Sequence, residues 1–119
     1  MATIDLYDLL ANIQKRPAMY LGSSSILGLR TFLAGYGFGR RQAGIAETVE
    51  EQEFAKFPSW IQLRFGITSH QTWDRIILFF SQSDEAALGT FFQLLAEFRQ
   101  EQQAAKNTDA QPHLDRASA

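Results

Sequence analysis

The chain has 119 residues, a length for one domain, with 45% apolar and 20% charged residues. Its net charge of −2 is a poor basis for binding nucleic acid, which needs a basic footprint to displace counterions. It has no cysteine, which excludes disulfides, thiolate nucleophiles and Cys-based zinc sites together.

The N-terminal residues hold an early acid and no basic segment followed by an apolar run, so no signal peptide is expected. The longest unbroken apolar run, Ile76 to Phe80, is far below the roughly 20 residues of a membrane span. A cytoplasmic location, with no membrane or nucleic-acid partner, is the default expectation.

Residues 4–14 have the spacing of an amphipathic helix, with Leu6, Leu9, Leu10 and Ile13 on one face. Thr3 is the expected N-cap, Asp5 suits the positive end of the helix dipole, and Pro17 closes the element. Residues 16–23 read as a connector whose Met19, Tyr20 and Leu21 pack on the core. Ser23, Ser24 and Ser25 offer a cap for a helix over 25–41, with Ile26, Leu29, Phe32, Leu33 and Tyr36 as its buried stripe. Glycines at 28, 35, 37 and 39 weaken that helix by up to about 1 kcal/mol each relative to alanine. The expected reason is close approach of a neighbouring helix, or fraying at its end.

Residues 44–56 form a polar stretch, part of which is expected to be helical with Val49 and Phe54 both pointing inward. The pattern over 57–65 gives a short helix, with Pro58 in its first turn and Gly66 as its stop. Thr68 or Ser69 is the expected cap of a helix over 70–81. There Trp73, Ile76, Ile77 and Phe80 repeat the helical spacing, and the run from Ile76 to Phe80 suggests the central helix. Ser83 caps a last helix with Leu88, Phe91, Phe92, Leu95 and Phe98 as its stripe. The apolar pattern stops at Gln100, so 1–99 reads as a single helical domain and 100–119 as a helix end and disordered tail. The fold class is all-α: a compact bundle of four or five helices.

Candidate chemistry is sparse. Gly35 to Gly39, GYGFG, looks like a phosphate loop but sits at the end of a helical pattern, with no preceding strand. His70 and Asp74 would share a helix face and could supply two metal ligands or a base and its orienter. Catalytic zinc wants three protein ligands, and the other histidine, His113, lies in the expected tail. Asp5 and Asp8 read as a solvated face. Lys15, Arg16, Arg40 and Arg41 suit helix C-termini better than a nucleic-acid patch. No catalytic, cofactor or metal site is therefore expected. The unusual surface feature is the acidic group Glu47, Glu50, Glu51 and Glu53. It reads as a solvated loop or as a docking face that steers a basic partner. Aromatics such as Tyr20, Trp60 or Trp73 are candidates for surface anchors.

The segment Arg16-Pro17-Ala18-Met19-Tyr20-Leu21-Gly22, with Leu29, Phe32, Gly35-Tyr36, Trp60, Trp73 and the end from Phe91 to Phe98, resembles a family of small bacterial proteins with an RPxMYLG signature. The resemblance covers residues 4 to 99. Ala18 departs from it, standing where glycine is expected, as does the stretch after Gln100. Proteins of this look are similar to the immunity proteins that accompany bacterial polymorphic toxins. The resemblance implies a protein-binding inhibitor that occludes a toxin domain. The alternatives are a homo-oligomeric structural protein, a small-ligand-binding protein, or an enzyme of unfamiliar type using His70 and Asp74.

Overall fold

The computed structural model describes residues 4–110, and every regular element among them is helical. The helices are α1 (Leu6–Lys15), α2 (Pro17–Leu21), α3 (Ile26–Gln42), α4 (Val49–Phe54), α5 (Phe57–Phe65), α6 (Trp73–Phe79) and α7 (Asp84–Ala110). Five have seven residues or more. The other two are short: α2 lies in the stretch expected to be a connector, and α4 in the polar stretch expected to be helical in part.

Local chemistry sets most boundaries. Asp5, not Thr3, caps α1, taking the Leu6 amide at 2.8 Å; Thr3 lies outside the described residues. Ser25 caps α3 by accepting the Gly28 amide at 2.9 Å. Thr48 and Glu51 form a reciprocal capping box on α4. Gly66, at φ 67°, ends α5 in the left-handed region that glycine enters without strain. Ser83 caps α7, accepting the Ala86 amide at 3.0 Å.

The core forms around Phe57, which is fully buried. Its ring lies 5.3–5.8 Å from those of Trp73, Phe91 and Phe98, edge to face in each case. Leu10 and Ile13 from α1, Ile26 and Leu29 from α3, Ile61 from α5 and Ile77 from α6 close around this centre.

Several expectations change. Met19 stands 64% exposed, while Tyr20 and Leu21 do pack on the core. Phe32, Leu33 and Tyr36 are only partly buried. Trp73 is a core residue, and Trp60 is partly buried. Val49 is 70% exposed although Phe54 packs inward. Five positions along a helix turn the side chain by about 140° relative to the first, so α4 cannot bury both. A Cβ at Gly35 or Gly39 would meet nothing within 4 Å, so no neighbouring helix among the described residues approaches closely there. Of residues 100–119, expected to be a helix end and disordered tail, the helix end runs as far as Ala110, and the remainder lies outside the described residues.

The α6 region differs most. The helix starts at Trp73, with Thr72 as its N-cap, rather than near residue 70. Its apolar run is not central throughout: Ile76 and Ile77 are buried, but Phe79 is 79% and Phe80 54% exposed.

Candidate functional site

The acidic group sits beside an open groove of about 460 Å³ between α1, α4 and the second half of α7. Glu50 and Glu53 form one side, and Arg99 and Lys106 on α7 form the other. Val49 and Ala96 give it apolar patches, and Gln100 and Gln103 supply amides.

The four acids have separate partners. Glu50 Oε1 accepts the backbone amide of Tyr7 at 2.8 Å. Glu51 closes the α4 capping box and accepts from Arg40 Nη2 at 2.9 Å. Glu53 accepts from the Tyr7 hydroxyl through Oε1 and from Lys106 Nζ through Oε2, both at 2.8 Å. Glu47 alone of the four is exposed at the residue level. Thus three of the carboxylates bind α4 to α1, α3 and α7, and the surface charge left for steering a partner is smaller than the sequence suggests.

The electrostatics of the groove oppose acid–base chemistry at neutral pH. Burial raises the Tyr7 phenol well above its ordinary range, and the hydrogen bond to Glu53 raises it further. Burial alone would push the Glu53 carboxyl up, but Lys106, Tyr7 and Arg99 together hold it below the ordinary range. Tyr7 therefore keeps its proton and Glu53 keeps its charge. The Arg99 guanidinium lies 4.1 Å from the Tyr7 ring centroid, a cation–π contact that covers the phenol from the α7 side.

The other candidate residues scatter. His70 lies in the exposed loop before α6, and Asp74 is buried inside that helix's first turn, so the two do not share a helix face. Asp74 instead meets Arg30 of α3, with Arg30 Nε 3.4 Å from Asp74 Oδ1. Asp5 caps α1 and accepts from the Thr48 hydroxyl at 2.8 Å, while Asp8 is exposed. Ser25 also donates to Asp84 Oδ2, and Asp84 Oδ1 accepts the Ile26 amide, each at 2.6 Å. The start of α7 is thereby locked to the start of α3.

A second surface carries the exposed aromatics. Phe80 stacks on Phe65 with ring centroids 5.0 Å apart, and Phe79 meets Phe80 edge to face at 5.1 Å. A shallow recess of about 120 Å³ lies among Phe79, Phe80, Ile67 and Ile76. Arg75 is exposed one turn before Phe79 on α6. Sequence reasoning missed this ridge because it assigned the whole 76–80 run to the interior. A signal was available: Ile76 and Phe79 lie about 300° apart around the helix, but Ile77 and Phe79 lie about 200° apart, so they cannot all face one core.

Among the described residues no helix is long and apolar enough to cross a membrane. No protein-family model, curated protein or solved structure matches this chain.

Proposed function

We propose that this protein is a protein-binding module that inhibits a bacterial toxin domain by occlusion, acting in the cytoplasm. The supporting observation is the aromatic ridge of Phe65, Phe79 and Phe80. Two of its rings are more than half exposed, around an apolar recess that the chain's own elements leave open. Covering a phenylalanine side chain contributes about 1.5–3 kcal/mol, so a partner that covers both rings gains a substantial part of its affinity there. Occlusion needs shape and contact area, not reacting groups. The resemblance around Arg16 to Gly22 gives the partner class. Glu47 and the outer edge of Glu50 add the acidic contribution that a basic partner would meet.

The test is capture of partners from the native host by the wild-type chain and by a Phe79→Ser/Phe80→Ser variant, followed by reconstitution with the purified partner. A stoichiometric toxin-domain partner, held by the wild type, inhibited by it and released by the variant, is the expected result. A partner bound equally by both proteins would remove the ridge from the reading. The same ridge also serves the second reading, self-association. Light scattering that shows a dimer dissociated by the double substitution would favour that reading instead.

A further inference from the structure

A separate recess of about 320 Å³ opens where α3 meets the first turns of α5 and α6. Its polar lining is Arg30, Ser59, Gln62, Gln71 and Thr72, and its apolar walls are Pro58 and Trp73. Behind Arg30 lies Asp74, only 4% exposed, with Oδ1 at 3.4 Å from Arg30 Nε and without a hydrogen-bond partner among the described residues. A buried carboxylate demands a counter-charge, and Asp74 therefore holds the Arg30 guanidinium at the recess. The Arg30 side chain is 47% exposed, so the group that Asp74 anchors on one side faces the recess and solvent on the other.

We propose that this recess binds an organic carboxylate through Arg30, with Asp74 as a positioning residue. Three features favour that ligand. The planar guanidinium matches a carboxylate with two parallel N–H donors. The N-terminus of α5 has no side-chain cap; Pro58 carries no N–H and the Trp60 amide is taken by the Lys56 carbonyl, so Ser59, which lines the recess, is the residue of that turn with an amide to add. The Thr72 hydroxyl is buried on the lining with no partner among the described residues, and it makes no cap hydrogen bond on α6. Pro58 and Trp73 give an apolar body a place beside these donors. Because the Asp74 charge behind Arg30 offsets the guanidinium, the recess offers little net field to repay desolvation, and a phosphate dianion, which costs more to desolvate than a carboxylate, is the weaker ligand.

The experiment is a nuclear magnetic resonance titration of the full chain at constant ionic strength. The probes are butyrate for a free organic acid, N-acetyl-glutamate amide for a protein side chain, and inorganic phosphate. The expected result is saturable shifts at the Arg30 Nε–H and the amides of Ser59, Gln71 and Thr72 with one or both carboxylates. The tighter of the two identifies the source, and phosphate binds more weakly than either. Arg30→Lys keeps the charge but not the fork and weakens binding about tenfold. Because Arg30→Gln alone would strand a buried charge, the loss-of-site variant is Arg30→Gln/Asp74→Asn, which should abolish saturation while leaving the rest of the spectrum folded. Shifts linear in probe concentration, shifts equal with phosphate, or binding that survives the double substitution would overturn the proposal.

Discussion

The Tyr7 hydroxyl and the Glu53 carboxylate, 46 residues apart in sequence, meet at 2.8 Å, and the other Glu53 oxygen takes Lys106 at 2.8 Å. One acid on the short α4 thus joins the first helix to the last. Tyr7→Phe removes a hydrogen bond to a charged acceptor but keeps the ring under Arg99. The expected loss is about 1.5–3 kcal/mol, read as a lower urea midpoint with an unchanged slope. Lys106→Ala should cost less, because that ammonium is more than half exposed and its pair is screened.

The same cluster sets a pH dependence with a definite sign. The folded-state Glu53 carboxyl lies below its ordinary value of 4.5, so the folded chain binds fewer protons there than the unfolded chain. Its stabilisation is complete above that value and is lost as pH falls through the lower, folded one. Tyr7 acts at the other end. Its phenol is raised above the ordinary 10.0, so its contribution is complete below pH 10 and declines as pH rises beyond that. Urea midpoints measured across acid and alkaline pH should fall at both ends. In Glu53→Gln the part of the acid loss due to this residue should be absent.

The starts and stops of helices were largely legible because they depend on local chemistry. Ser25, Ser83, Gly66 and Pro17 each act within one turn of themselves. Side-chain partners across the fold were not legible. Glu51 and Glu53 read as solvated acids because Arg40, Tyr7 and Lys106, which engage them, lie 11, 46 and 53 residues away. The extension of α7 was missed for a different reason. Residues 101–106 lack an apolar stripe, but Glu, Gln, Ala and Lys are strong helix formers and can continue an established helix. Phe80 of the aromatic ridge escaped because periodicity puts it on the stripe of Trp73 and Ile76 without saying whether anything covers it.

The glycines of α3 give a test that separates folding from any other role. Gly35 and Gly39 are exposed inside a helix, and an added methyl would meet nothing within 4 Å. Gly35→Ala and Gly39→Ala should each stabilise the chain by about 0.5–1 kcal/mol, through helix propensity and a less flexible unfolded state. Thermal melts of both single variants and the double variant should rise in steps. A fall at either position would show that the helix needs glycine for contacts within the chain.

Two phenylalanines separate the core from the exposed ridge under the same substitution. Phe57 is fully buried, with aromatic rings around it from α4, α5, α6 and α7. Phe57→Ala should cost about 3–5 kcal/mol through lost transfer energy and the cavity left behind. That is a large share of the roughly 5–15 kcal/mol that holds a domain folded, so this variant should be partly unfolded at physiological temperature. Phe79 is 79% exposed and its ring meets that of Phe80, itself more than half exposed, so Phe79→Ala should change stability by no more than about 0.5 kcal/mol. Denaturant unfolding of the two variants side by side measures the contrast. A large loss at Phe79 would mean that its ring supports the packing of α6, and the ridge would then be part of the core rather than a surface left for a partner.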